Sequence, residues 1–212
     1  MGPDTASGTE NDYVTRVFDD PGAIAGADWN ALLALHPDPS PFMRHEYLRA
    51  LHDSGSAVPE TGWAPRFVTL WRGGELHAAC PLYLKGHSYG EYVFDWAWAD
   101  AYRRHGLRYY PKLLGAVPFT PVPGTRLLAR DEAGRQTLLA GIDALMRERS
   151  LSSAHLLFLA ESDRAAAASA GWLLRRTVQF HWLNRSQISP GSPDYADFDD
   201  FLAGMQSAKR KK

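Results

Sequence analysis

The stretch FVTLWRGGELHAACPLYLK, residues 67–85, decides the fold class because it encodes two strands and the turn between them. Two apolar runs, Phe67–Trp71 and Leu76–Leu84, flank the dipeptide Gly73-Gly74. Two successive glycines supply the positive φ angles that a two-residue hairpin turn requires. The pattern therefore predicts an antiparallel hairpin. Pro81 has no N–H to donate, so we expect the second strand to lie at a sheet edge or to be bulged near that residue.

Helical and strand-like patterns alternate on both sides of this hairpin. Apolar residues recur at helical spacing after Asp28 and Ser40 and again from Leu138 to Met146. Further runs are typical of strands, and they are Leu113–Val117, Arg126–Ala129, Leu156–Leu159 and the alternating segment Trp172–Asn184. The order of these elements predicts an α+β domain with a mixed sheet.

Composition narrows the class of protein. The chain has 212 residues, of which 45% are hydrophobic and 22% charged, enough for one globular domain with a substantial core. A net charge of -1 provides no overall field for nucleic acid or an anionic membrane. Cys80 is the only cysteine and the sequence has no secretory leader, which predicts a cytoplasmic protein. No apolar run approaches the roughly 20 residues of a membrane span.

The pentapeptide Gly86-His87-Ser88-Tyr89-Gly90 matches the G-x-S-x-G pattern of a serine-hydrolase nucleophile elbow. One alternative is therefore a hydrolase in which Ser88 is the nucleophile, with Asp163 and His181 as its partners. An elbow needs a strand, a sharp turn and then a helix. Residues Glu91–Phe94 have instead the pattern of a strand, which favours a glycine-bounded turn without hydrolase chemistry.

A longer stretch, PLYLKGHSYGEYVFDWAWADAYRRHGLRYYPKLLGAVPFTPVPGTRLL, residues 81–128, resembles the FemAB-like group of N-acyltransferases in the GNAT superfamily, often labelled peptidoglycan biosynthesis or recognition proteins. The resemblance extends from about Pro41 to the C-terminal DFDDFLAGMQSAKRKK. It implies a GNAT-like mixed sheet flanked by helices, an amine acceptor and transfer of an acyl or aminoacyl group in cell-wall peptide metabolism. The donor would be acyl-CoA or aminoacyl-tRNA, with no tightly bound cofactor.

The resemblance also implies a domain organisation, because proteins of this group are longer and form their cleft from two GNAT-like halves. We accordingly expect a flexible leader at residues 1–12, the first GNAT-like domain at 13–190, and a linker with the first helix of a truncated second domain at 191–212. That helix would place Phe198, Phe201, Leu202 and Met205 on one unpaired side, which predicts loose attachment or a dimer formed through it. The basic cluster Lys209–Lys212 could contact tRNA in a complete protein.

The turn Pro118–Gly124 bears on how this half would bind a donor. GNAT enzymes hold the pyrophosphate of acetyl-CoA on backbone N–H groups at a helix N-terminus. Three prolines in this turn lack an N–H, so a dense cradle of donors cannot form there. We therefore expect acceptor binding in this half, with Lys112 and Arg126 left as the side chains able to hold an anion.

Acyl transfer to an amine needs a base, a donor for the developing oxyanion and groups that align the substrates. Glu91 and Asp95 are the candidate bases. Glu91 lies between Gly90 and an apolar run, so it either meets Lys85, Lys112 or an arginine, or has a raised pKa. The candidate substrate-binding residues are Lys85, His87, Ser88, Tyr89, Tyr92, Tyr109, Tyr110, Lys112, Thr120 and Arg126.

Two groups of residues are given structural roles and no functional ones. Trp96 and Trp98 are large rings, for which packing in the core or on the surface of a sheet is the favoured prediction. None of the eight histidines has metal-ligand spacing, so no metal site is predicted. A non-catalytic module that binds a cell-wall precursor or peptide is the main alternative to an enzyme.

Overall fold

The computed structural model describes residues 13–205, which belong to two compact units, the first ending at Leu174 and the second beginning at Arg175. The strands are β1 Val14–Phe18, β2 Trp63–Pro65, β3 Phe67–Arg72, β4 Glu75–Cys80, β5 Leu82–Lys85, β6 Lys112–Gly115, β7 Leu128–Ala129 and β8 Ala154–Leu156. The helices of the first unit are α1 Gly26–Leu33, α2 His45–Asp53, α3 Trp96–Arg104, α4 Glu132–Glu148 and α5 Glu161–Ser169. Those of the second unit are α6 Arg185–Ile188 and α7 Phe198–Ala203.

The predicted hairpin is confirmed. Strands β3 and β4 pair antiparallel, and the turn residues Gly73 and Gly74 have φ angles of 60° and 87°. Positive φ at both central positions matches the right-handed twist of the two strands.

The hairpin continues past Pro81 as a second pair of strands in the same register. Val68 faces Cys80 on one side of the proline, and Pro65 faces Tyr83 on the other. Between them the N–H of Arg66 donates to the carbonyl of Leu82 at 2.7 Å. Pro81 thus removes one hydrogen bond from the ladder, but the register of the paired strands stays the same on both sides of it. No bulge forms at the proline, since the register shift of this hairpin lies between Leu70 and Trp71.

The two ladders form two four-stranded sheets, ordered β1-β3-β4-β7 and β2-β5-β6-β8. The β6–β8 pair is parallel and the other pairs are antiparallel. The predicted α+β fold with mixed strand pairing and flanking helices is confirmed.

Side chains from β3 and β4 point alternately into two apolar clusters, one on each face of the sheet. Phe67 and Leu76 pack with Trp29 and other residues of α1 and α2. Val68, Leu70, Ala78 and Cys80 pack with residues of α4 such as Leu138 and Ile142. Burial on both faces explains why these strands lack polar alternation.

The prediction of a strand at Trp172–Asn184 is wrong. The structure has no strand in this segment, and Val178 and Phe180 are exposed. Alternating apolar and polar residues give a strand one face that can be buried. A strand also needs a neighbouring strand to complete its hydrogen bonds. The predicted leader at residues 1–12 and the basic cluster Lys209–Lys212 lie outside the described residues, and the predicted boundary at residue 190 stays a prediction.

Candidate functional site

Two buried lysines face each other across neighbouring strands. Lys85 is the last residue of β5 and Lys112 the first of β6, and they are direct antiparallel partners. Both side chains are buried. Like charges directly opposite each other destabilise a sheet, and an unpaired buried ammonium costs several kcal/mol. This arrangement therefore requires negative charge close by.

The connection that follows β5 supplies that charge as two carboxylates. The Lys112 Nζ donates hydrogen bonds to Glu91 Oε2 at 2.8 Å, to Asp95 Oδ2, and to Ser88 Oγ at 3.1 Å. Two lysines and two carboxylates make the set neutral as a whole. We call Lys85, Ser88, Glu91, Asp95, Tyr109, Tyr110 and Lys112 the lysine–carboxylate cluster.

The carboxylate of Asp95 is held by donors on both of its oxygens. Ser88 Oγ donates to Oδ1, and the Tyr109 hydroxyl donates to Oδ2 at 2.8 Å beside the bond from Lys112. The Tyr110 hydroxyl lies 3.2 Å from Oδ1 and 2.7 Å from Ser88 Oγ. Burial raises the pKa of Asp95, but the hydrogen bonds from Lys112, Ser88 and Tyr109 outweigh it, so that pKa is lowered. Asp95 is fixed in place and ionised.

Glu91 differs from Asp95 in having one oxygen without a partner. Its Oε2 accepts from Lys112, whereas Oε1 is buried and makes no hydrogen bond. Burial raises the pKa of Glu91, and the charges of Lys112 and Lys85 only partly offset this. Both outcomes expected for this residue are therefore present, the lysine contact and the raised pKa. Glu91 is the cluster member best suited to gain a proton.

Lys85 meets an aromatic face instead of a carboxylate hydrogen bond. Its Nζ lies 3.6 Å from the ring centroid of Trp63, its cross-strand neighbour on β2, and donates to the carbonyl of Tyr89 at 3.2 Å. Burial lowers the pKa of Lys85 to about 8, with Glu91 opposing the shift and Lys112 adding to it.

Comparison with known proteins agrees with the resemblance noted in the sequence. Residues 21–212 match the family FemAB_like, described as peptidoglycan biosynthesis/recognition. The chain belongs to this FemAB-like family. No curated protein matches the sequence. Among solved structures, the chain is similar to a ribosomal-protein-alanine N-acetyltransferase from Brucella melitensis biovar Abortus 2308, with 12% identity, a TM-score of 0.42, and coverage of 82% of this chain and 98% of that one.

Sequence reasoning missed two residues that support the cluster of this FemAB-like protein. One is Trp63. The other is His155 on β8, whose Nε2 lies 2.8 Å from Ser153 Oγ and 3.5 Å from the Tyr109 hydroxyl. Burial lowers the pKa of His155 to about 4, so the ring is neutral near Tyr109. Neither residue belongs to a motif, because only the strand order places them here.

The side chains of five candidate residues are not part of the lysine–carboxylate cluster. The ring centroids of His87 and Tyr89 lie 5.1 Å apart, and the side chains of Tyr89 and Tyr92 are exposed. The Thr120 hydroxyl lies 3.1 Å from that of Tyr47. Arg126 is buried, and its guanidinium donates to the carbonyls of Val122 and Thr125 while its N–H binds Asp163. The clearest role of Arg126 is to hold the proline-rich turn.

The structure around Ser88 is not a nucleophile elbow. Residues 91–94 are irregular, so the strand expected there is wrong, and the next helix starts only at Trp96. Ser88 Oγ bonds to Asp95 and Lys112 in place of a histidine. Asp163, the acid considered for a triad, accepts from the Thr125 hydroxyl and from two backbone N–H groups.

The proline-rich turn has no free backbone donor for an anion. Every non-proline N–H from Phe119 to Gly124 donates to a carbonyl, the acceptors being those of Gly90, Val117, Thr120 and Phe158. The prolines remove the remaining donors. Within residues 13–205, no three His, Cys, Asp or Glu side chains are grouped so that they could hold a metal ion.

The prediction that Trp96 and Trp98 pack in the core or on the surface of a sheet is wrong. They are 58% and 54% exposed, and α3 buries none of its nine residues. Ring size favours burial on average, but here both rings belong to a helix that lies on the surface of the first unit.

Proposed function

We propose that this FemAB-like protein transfers an acyl or aminoacyl group to an amine and that Glu91 finally receives the proton released by that amine. The observation that carries the proposal is the contrast between the two carboxylates. Asp95 has both oxygens bound by donors and a lowered pKa, whereas Glu91 has a bare buried oxygen and a raised pKa. Pairs of acids whose environments separate their pKa values are typical of acid–base sites.

The geometry supplies a route for this proton. Ser88 and Tyr110 are only half-buried, while Glu91 and Lys112 are fully covered. Ser88 Oγ lies 3.1 Å from Lys112 Nζ, which lies 2.8 Å from Glu91 Oε2. The amine nitrogen forms the new bond to the donor's carbonyl carbon, and the thiolate or alkoxide of the donor leaves. The amine passes one proton to Ser88 Oγ while the Ser88 hydroxyl gives its own proton to Asp95, to which it already donates. Lys112 gives one proton to Glu91 and takes up the proton from Asp95, so the net transfer is from the amine to Glu91.

Each neighbour of Glu91 contributes to this role. Asp95 keeps Ser88 and Lys112 in position, since it bonds to both. Lys85 adds a second positive charge near Glu91, which opposes the rise of its pKa that burial causes. A base is most effective when its pKa lies near the working pH.

The test uses the full chain with acetyl-CoA or aminoacyl-tRNA as donor and an amine-bearing peptidoglycan precursor as acceptor, with product detected by mass spectrometry. Glu91→Gln should lower kcat/KM about a hundredfold, the lower range for loss of a general base. The matched control Glu75→Gln alters an exposed carboxylate on β4 and should leave kcat/KM unchanged. Equal losses in both variants would contradict the role of Glu91.

A non-catalytic binding module is the second candidate, and the burial of the cluster favours it. The side chains of Glu91 and Lys112 are 1% and 2% exposed, so no charged group of this pair faces solvent directly. In that case the precursor binds the wild type and Glu91→Gln equally in calorimetry, and neither chain forms product.

A further inference from the structure

The exposed rings of the first unit are concentrated in one segment. Within residues 13–174, the large aromatic side chains that are exposed all lie between residues 89 and 119. They are Tyr89, Tyr92, Phe94, Trp96, Trp98 and Phe119. The most exposed of those at the start of α3 is Phe94, at 77%, and its ring packs against that of Trp96 at 5.1 Å. An exposed aromatic pair such as Phe94 and Trp96 is typical of a binding surface for a protein or a membrane.

Positive charge lies at the other end of the same helix. The last turn of α3 carries Arg103 and Arg104, both exposed and both paired with Asp100, and the exposed Arg108 follows. Three arginines against one aspartate leave this segment positive, although the whole chain has a net charge of -1. Exposed Trp, Tyr and Phe rings beside arginines are typical of segments that lie in the interface of an anionic bilayer.

We propose that α3 and the preceding residue Phe94 form a docking surface for an anionic phospholipid bilayer. The rings of Phe94 and Trp96 enter the interface, and Arg103, Arg104 and Arg108 contact lipid phosphates. The residues that follow Ser88 lead directly into this surface, so docking brings the lysine–carboxylate cluster close to the membrane. Within residues 13–205 no helix has both the length and the hydropathy to cross a bilayer, and the contact is peripheral.

The experiment is flotation of the full chain with phosphatidylglycerol-containing vesicles and with pure phosphatidylcholine vesicles. We expect the wild type to float with the anionic vesicles at about 0.1 M salt and to bind less when salt is raised, since screening weakens the arginine contacts. The double variant Phe94→Ser/Trp96→Ser should bind about tenfold less because it loses two apolar anchors. Arg103→Ala/Arg108→Ala should bind less at low salt.

The matched control is Leu35→Ser, which removes a side chain that is also exposed, at 57%, but lies after α1. It should bind vesicles like the wild type. Circular dichroism checks that each variant is folded, which is expected because the altered side chains are exposed. Failure of the wild type to float, or equal flotation of the ring variants, would overturn the proposal. So would concentration-dependent self-association, by light scattering, that the ring variants abolish, since the surface would then bind a second copy. Flotation needs no turnover, so this test is independent of the proposed acyl transfer.

Discussion

Replacing Lys112 with methionine removes the cation that joins the two buried carboxylates while keeping a side chain of similar length. In the folded chain Lys112 donates to Glu91, Asp95 and Ser88, and its side chain is 2% exposed. Without it, two carboxylates remain buried near each other and Lys85 is the one cation of the cluster left. Removing one partner of a buried ion pair costs about 3 to 5 kcal/mol.

This loss is large relative to the stability of a typical domain, which is about 5 to 15 kcal/mol. For a chain of this length it corresponds to a fall in melting temperature of about 6 to 20 °C. Urea and thermal unfolding followed by tryptophan fluorescence measure it. The control Arg103→Ala breaks an exposed ion pair with Asp100 and should leave the melting temperature unchanged.

A second variant separates charge from packing. Lys112→Met/Glu91→Gln removes one of the two uncompensated carboxylates, so it should recover part of the lost stability. A melting temperature of Lys112→Met close to that of the wild type would refute the reasoning. So would a double variant that is less stable than Lys112→Met, because the penalty would then come from lost volume.

Three further predictions concern pH and backbone conformation. Burial raises the pKa of Glu91, so the folded chain holds this proton more tightly than the unfolded chain. The free energy of unfolding should therefore fall as pH rises above 4.5, the ordinary pKa of a glutamate. Urea titrations measure this fall, and Glu91→Gln should abolish it. Lys85 behaves oppositely, since its lowered pKa of about 8 makes its buried charge a penalty below pH 8 that is relieved as pH rises toward 10.5. Between about pH 7.5 and about pH 9.5 the wild type should therefore gain about 2 kcal/mol relative to Lys85→Met, and an unchanged difference would contradict this. Gly90→Ala should lower the melting temperature more than Gly106→Ala, because both residues have positive φ but only at Gly90 would the added Cβ lie 2.7 Å from the Phe119 ring.

Local patterns predicted the hairpin correctly because its turn chemistry and its apolar runs lie within one short stretch. Glycine at both turn positions and strands buried on both faces are properties of the sequence itself. The strand expected at Trp172–Asn184 failed for the complementary reason. Its alternation is present, but nothing in a sequence states which strand will pair with it.

The candidate site was predictable in its residue types but not in its geometry. Glu91 was a candidate because a carboxylate beside an apolar run needs a charged partner or has a raised pKa. That Lys85 and Lys112 are opposite each other depends on the register of β5 and β6 after a connection of many residues, which no spacing encodes. The register of β2 with β5 brings Trp63 into contact with Lys85, and the parallel pairing of β6 with β8 brings His155 close to Tyr109.

Arg126, by contrast, was a candidate because of its charge alone. In the fold its guanidinium is buried against the carbonyls of its own turn. Trp96 and Trp98 were expected in the core or on a sheet surface because of their size, but they lie on a surface helix that exposes them. General preferences of residue types fail at such positions because they average over environments that the tertiary structure distinguishes.

The central claim is that the two carboxylates bound by Lys112 have divided roles, and a pH titration of their side-chain carbons by ¹³C NMR tests it most directly. The resonances are assigned with Glu91→Gln and Asp95→Asn. We predict that Glu91 titrates above its ordinary pKa of 4.5 and Asp95 below its ordinary pKa of 3.8. Titration of both at their ordinary values, or in the reverse order, would contradict the account.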